Sequence, residues 1–536
     1  MLVVGDFTGT SLALATITFN GTDGDDVVDI SGLSSAHRIV FRSNGGEDMI
    51  VGSLRPQDVI ELAPGLVRTD YNDPEFDGTG TWTINSKDGA HSISYPGNAS
   101  TPSPNFAENS ASQVADNFDI SLEDIQELKN LVRGLPSDLA EDHATGIRDL
   151  EGTGNNPGNP DFGSADQPFI RLTEARYGEF DPAIGNNELN PIFDGLDPRA
   201  ISNILGAQGS DEPKSEEEAS IFFMAFGQYF DHGLDFLPKG GNGTVEIGTD
   251  PSDDPADLTR GSVDDIVDGV PQHLNKTSPF VDQNQAYGST ELVGILLREG
   301  DGNGGLTGKL LAGAPDPSNT DFNMLPTLRE VLLHHWDNNT VFSDPLYLPS
   351  GPISFRDYFT DLPFEDASGT PQIGTLVDAG GNINEDMIPF VNGDFMGSGH
   401  TLVGDANPFI NLLDHYVAGD LRANENYTLT SIHTIWARNH NFHAENLEAN
   451  GFDGTDEELF QAAKIINEAE YQRVVFDEFA DKLLGGLKGS GEHGHDDYNP
   501  GVDARISHEF AAAVYRVGHS LISQTITVIG EDGIPK

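Results

Sequence analysis

Short runs of alternating apolar and polar residues fill the N-terminal part of the chain. Thr16-Ile17-Thr18-Phe19, Arg38-Ile39-Val40-Phe41 and Thr81-Trp82-Thr83-Ile84 are β-prone segments separated by Gly, Asp and Asn turns, so residues 1–98 read as a small β-rich domain. A polar Pro/Ser stretch over 99–114 reads as a linker. Beyond it the hydrophobic period lengthens. Ser121-Leu122-Glu123-Asp124 has the form of a capping box opening a helix through Val132. Further helices are expected over 216–230, 287–298, 324–336, 428–449, 456–484 and 507–523, so 115–536 reads as a mainly helical domain. Its long Gly/Asp/Pro loops, 238–275 and 364–405, are of the kind that wrap a site or bind ions.

Composition narrows the class. With 536 residues the chain is too long for one compact core. It carries 87 acidic against 28 basic residues, a formal charge of −59, which makes nucleic acid a poor partner because phosphate binding needs clustered cations. It has no cysteine, hence no disulfide and no thiolate metal site. No apolar run is long enough for a membrane span. Met1 to Asp6 lacks the basic start of a signal peptide, so a secreted or extracellular protein would depend on another address, such as type I export.

Two N-terminal stretches, Gly21–Asp29 and Ser43–Val51, resemble the Gly/Asp nonapeptide of parallel β-rolls. In haemolysin-type repeats such turns bind calcium. Asp23, Asp25 and Asp48 are the candidate ligands here, against the plainer alternative of ordinary Asp/Gly turns.

The chemistry-bearing residues lie in the helical part. An apolar segment from Ile221 runs into Gly227-Gln228-Tyr229-Phe230-Asp231-His232. On a helix Gln228 and His232 share a face, and polar groups in an apolar helix cost free energy unless paired or bound. The segment Ala418-Gly419-Asp420-Leu421-Arg422-Ala423-Asn424-Glu425-Asn426 precedes a helix carrying Arg438-Asn439-His440-Asn441. Tyr515-Arg516-Val517-Gly518-His519-Ser520-Leu521-Ile522 closes a further apolar segment.

Taken in order, these segments resemble those of animal-type haem peroxidases. Gly-Gln-x-x-Asp-His is similar to the distal histidine motif, and Arg422-x-x-Glu425 to the catalytic arginine with its haem-linking glutamate. Arg438-x-His440-Asn441 matches the helix that follows, and the 515–522 segment resembles the proximal histidine helix. Arg148 to Asn159 resembles an early Asp-Gly-x-x-Asn-Asn segment. With the Gly/Asp repeats, the chain is similar to bacterial members related to manganese-oxidising peroxidases.

The resemblance implies a mainly α haem peroxidase domain with long loops behind a β-roll-like N-terminal domain. It implies haem b and calcium as cofactors, and hydrogen peroxide and a small reductant (halide, phenol or Mn(II)) as partners. It casts His232 as the distal base, Arg422 as the cation facing the departing oxygen, and Gln228 as the group that orients water or a small anion. His519 would ligate the iron, Arg516 would pair with a propionate, and Asp231 and Glu425 would form ester links to the haem. A calcium loop is implied at Ser278, Phe280, Asp282 and Asn284. Asn426 stands where some members carry a third haem-linking residue, and Gly233 where others carry a calcium-binding Asp. The proximal histidine needs an acceptor for its second nitrogen, expected well downstream of His519; the sequence stops at Lys536, so further helices and a longer protein are expected. Two alternatives stay open: a fatty-acid dioxygenase of the same superfamily, disfavoured by Arg516 where cyclooxygenases place a radical-forming Tyr, and a calcium-dependent adhesion module with a vestigial haem site. His433 and His440 read as structural, and His493 and His495 as part of a solvated loop.

Overall fold

A computed structural model describes residues 2–3, 16–22, 24–32, 38–55, 58–64, 66–98, 104–107, 120, 122–135, 147–175, 201, 204, 220–245, 258–267, 270–317, 320, 322–484 and 499–522. Asp23 and the segment from His493 to Asp497 lie outside them. The chain divides into two units, Met1–Ser121 and Leu122–Lys536.

In the first unit the chain coils between two sheets. Leu2–Val3, Val27–Asp29, Glu47–Val51 and Ser92–Pro96 stack in parallel on one side. Thr16–Asn20, Arg38–Arg42, Val59–Glu61 and Asn105–Ala107 stack in parallel on the other. This is the β-roll-like arrangement that the Gly/Asp repeats imply, and alternate residues explain it: Val28, Ile39, Phe41, Ile50, Ile60 and Ile93 point between the sheets and form the core. The strand Asn105–Ala107 falls inside the stretch expected as linker, because Phe106 packs against this core, edge-on to Tyr95. The turns stack so closely that only glycine fits. Gly46 has φ +80°, and a Cβ there would stand 2.4 Å from the Gly24 carbonyl carbon. Carboxylates tie successive turns together: Asp25 accepts from Glu47 N at 2.8 Å and Asp48 from Asp26 N at 3.1 Å. Burial pushes the Asp48 carboxyl up to about 6.

The second unit is mainly helical. The helix Tyr427–Ala449 starts at Asn426, whose Oδ1 accepts from Leu429 N, and buries Leu429, Ile432 and Trp436 at helical spacing. The helix Asp456–Arg473 opens on a Thr455/Glu458 capping box and runs through a π-helical segment, Val474–Ala480, into a last turn, Asp481–Leu484. Ala225, Phe226 and Tyr229 of the helix Ile221–His232 pack against Leu429, Ile432, Trp436, Tyr471, Val475 and Phe479 of these two. That packing presents the C-terminal end of the 221–232 helix to the loop before Tyr427. Two expected helices are shorter than their apolar patterns. Gly288, at φ +84°, breaks the 287–298 stretch, leaving Glu291–Leu296 capped by Thr290. The 507–523 stretch breaks at Ala513 (φ −132°, ψ −58°) into His508–Ala512 and a 3₁₀ segment, Val514–Leu521. No described helix is long and apolar enough to cross a membrane.

Candidate active site

His232 is the last residue of the 221–232 helix and is buried. The short loop 418–426 approaches it from the start of the 427–449 helix and supplies Asp420, Arg422, Glu425 and Asn426. Asp420 is buried and ties the group together. It accepts from three Arg422 donors: the backbone N at 2.9 Å, Nε at 3.1 and 3.2 Å to the two oxygens, and Nη2 at 2.6 Å. The same carboxylate stands 3.3 Å from His232 Nδ1, in ion-pair range though without an aligned hydrogen bond. Burial alone would raise the Asp420 carboxyl. Arg422 and His232 outweigh it and hold the group below the ordinary carboxylate value. Burial also works against the Arg422 charge, and Asp420 more than restores it.

Arg422 reaches further. Nη2 donates to His232 O at 3.0 Å and Nη1 to Asp235 O at 3.1 Å, while the guanidinium lies over the Phe236 ring at 4.8 Å. Among the described residues, one hydrogen on Nη1 has no protein acceptor. His232 Nε2 faces the other way, 3.7 Å from Glu425 Oε2. Gln228, one turn back, donates to Glu425 Oε2 at 2.8 Å and accepts from Asn426 Nδ2 at 2.8 Å. Behind His232, Tyr229 is fully buried with its ring edge-on to His433 at 4.7 Å, and burial pushes His433 down to about 3, so this imidazole is neutral.

The 3₁₀ segment Val514–Leu521 lies against the same helix. Arg516 pairs with Asp231 and, at 3.3 Å, with Asp235 Oδ1. Tyr515 Oη donates to Gly227 O at 3.1 Å. Asp235 is buried, and burial together with the neighbouring Asp231 raises its carboxyl against the pull of Arg516 and Arg422. The structure thus brings His232, Arg422, Gln228, Glu425, Asp231 and Arg516 into one cluster. His519, on the same segment as Arg516, is exposed.

The loop expected to hold calcium lies close to the helix end. Asn284 Nδ2 donates to Ser278 O at 2.7 Å and to Gly233 O at 3.0 Å, with Asp282 Oδ1 at 3.4 Å. Ser278 Oγ donates to Gly163 O at 3.0 Å, and the Phe280 ring packs against Gly163. Burial pushes the Asp282 carboxyl up to about 7. Gly233 is held to glycine by packing: a Cβ there would stand 2.3 Å from Gln285 Nε2, which is committed to Tyr229 O and Tyr471 Oη. Among the described residues no three His, Asp or Glu side chains are grouped to hold a metal ion.

Asp420 and Asp235 are the members that sequence reasoning missed. Asp420 carried a signal, being two residues from an expected functional arginine. Asp235 lay outside every motif, and its side chain meets the cluster through Arg516.

The family model described as animal haem peroxidase matches residues 147–331 and 384–536. A human peroxidasin homolog is 39% identical over 124 residues, covering 22% of this chain and 8% of that protein. Peroxinectin A of Dictyostelium discoideum is 25% identical over 410 residues, covering 72% of this chain and 60% of its own length. The solved peroxidase A of Dictyostelium discoideum superposes with a TM-score of 0.49 at 22% identity, covering 73% of this chain and 62% of that one. The chain therefore spans less than two thirds of the length of each of these proteins. With more than half of its residues inside the family model, the chain belongs to the animal haem peroxidase family.

Proposed function

We propose that the protein is a haem-dependent peroxidase that reduces hydrogen peroxide and oxidises a small substrate, a halide, a phenol or Mn(II). The single observation that carries this is the meeting of His232 and Arg422 on one buried carboxylate at the end of an apolar helix. The chain's own groups fit a haem by their chemistry. Among the described residues Asp231 Oδ1 and Asp235 Oδ2 are buried without a hydrogen-bond partner, as is His232 Nδ1 apart from its approach to Asp420. His519 is an accessible imidazole for the iron, and Asp231 and Glu425 are the carboxylates for ester links. Arg516, now paired with Asp231 and Asp235, is the cation for a propionate.

Bound haem supplies the iron and the electrons for O–O cleavage. Everything else falls to the protein. His232 Nε2 takes the proton from one peroxide oxygen and returns it to the other, which leaves as water. Arg422, held beside His232 through its bond to the His232 carbonyl, would supply the positive charge that stabilises the departing oxygen. Gln228 holds Glu425 and Asn426 at the rim beside Nε2.

The His519→Ala variant tests the assignment of the iron ligand. After haem reconstitution it is expected to lose the native Soret band and to regain one of a different position with added imidazole. An unchanged band rules His519 out. Oxygen uptake with a fatty acid and no added peroxide would instead assign the chain to the dioxygenases. Loss of any Soret band in the native protein would support a non-enzymatic module.

Calcium is part of the same proposal. Ser278 O, Gly233 O and Asp282 Oδ1 converge on the Asn284 amide, and oxygens converging in this way suit calcium once Asn284 presents its own oxygen. Phe280 offers its carbonyl, and Asp25 and Asp48 offer carboxylates at the N-terminal turns. Calcium at about a hundred times its Kd is expected to stabilise the protein by about 2.7 kcal/mol. Isothermal titration of the native, Asp282→Asn and Asp48→Asn proteins counts the sites, and an equal count in all three removes both. Secretion, proposed from the sequence, is read by assaying culture medium for the full-length protein.

A further inference from the structure

We infer that Asp420 is a positioning residue that sets which nitrogen of His232 carries the proton and locks the arginine to the histidine. The inference rests on the peroxidase proposal for its consequence, though not for its geometry.

A neutral imidazole has one N–H and one lone pair, and its neighbours decide which nitrogen holds which. Two carboxylates compete for His232. Asp420 Oδ1 stands 3.3 Å from Nδ1 and Glu425 Oε2 stands 3.7 Å from Nε2. The Asp420 side chain is 6% exposed and that of Glu425 is 47% exposed. A buried ionised carboxylate acts through a low dielectric, whereas an exposed one is screened. Glu425 is also engaged by the Gln228 amide. Asp420 therefore prevails, Nδ1 carries the proton, and the Nε2 lone pair is left on the side of half-exposed Glu425, where a base is needed.

The second half of the role concerns distance. Arg422 donates Nε and Nη2 to the Asp420 carboxylate and Nη2 also to the His232 carbonyl. Base and cation are thus fixed to one rigid group instead of to two flexible side chains. A misplacement of about 1 Å between such groups can cost about 10²-fold in rate. No local motif announces this, because the carboxylate reaches the histidine only through the fold.

The test uses full-length protein carrying ¹⁵N-labelled histidine, with the His232 signals assigned by loss in His232→Gln. Long-range proton–nitrogen spectra of the native protein are expected to show the Nδ1–H tautomer. In Asp420→Asn the carboxamide can donate to Nδ1, so the tautomer is expected to shift to Nε2–H. Asp420→Glu, which keeps a carboxylate, is expected to restore much of the Nδ1–H form. On haem-loaded protein, Asp420→Asn is expected to reduce peroxide at least about 10²-fold more slowly. A native His232 already in the Nε2–H form overturns the inference, and this reading needs no variant to fold. An Asp420→Asn protein with the native tautomer and a rate within threefold of native overturns it as well. If the tautomer shifts as expected but the native haem-loaded protein has no peroxidase turnover, the peroxidase proposal fails and the positioning role stands.

Discussion

His232→Ala is expected to slow hydrogen peroxide reduction by about 10²- to 10⁴-fold, the usual contribution of a positioned acid–base group. Stopped-flow mixing of haem-loaded protein with peroxide measures it. The fold should survive the change. Asp420 keeps its hydrogen bonds from three Arg422 donors, so no buried charge is orphaned, and the His232 ring itself makes no aligned hydrogen bond through Nδ1. The loss should therefore appear in the rate, with the Soret band and the melting profile little altered. A variant within threefold of the native rate would remove His232 from the chemistry and with it the proposed mechanism.

Arg422→Ala is expected to damage both stability and rate. Asp420 would be left as a buried carboxylate without its cation, and breaking a buried pair in this way typically costs about 3–5 kcal/mol. Against a total stability of about 5–15 kcal/mol this is a large share, and urea melts should resolve it easily. The rate of peroxide reduction should fall by about 10²- to 10³-fold through loss of the charge facing the departing oxygen. Combining Arg422→Ala with Asp420→Asn separates the two effects. The double variant should recover part of the stability, because the buried charge is gone, and none of the rate. A single variant as stable as the native protein would mean that water reaches Asp420.

The helices were the most legible part of the chain. Leu429, Ile432 and Trp436 recur at helical spacing in the expected 428–449 helix, and the expected 456–484 stretch is helical from residue 456 onward. Such signals are local, so they survive in the sequence. The π-helical stretch Val474–Ala480 was not legible, since its residues keep an ordinary helical pattern. The N-terminal repeats were legible as resembling those of a parallel β-roll. Their parallel stacking depends on Gly46 meeting Gly24 one coil away, and the strand at Phe106 was hidden in a stretch whose Pro and Ser residues read as linker.

The candidate site divides in the same way. His232, Gln228, Arg422 and Glu425 could be named from motifs, because residue type and spacing record which chemistry is available. Their partners could not. Arg516 pairs with Asp231 and Asp235, and its motif names neither as its partner in the fold. Asp420 gave no sign that it stands at His232 Nδ1.

By itself the sequence determined the periodicities, the caps, the glycine-only turns and the set of reactive side chains, all of which act over a few neighbouring residues. Only the tertiary structure decided which carboxylate meets which nitrogen and which cation is tied to which acid. Those choices follow from packing the 221–232 helix against the 427–449 and 456–473 helices, and the strength of each contact depends on burial that only the assembled core creates.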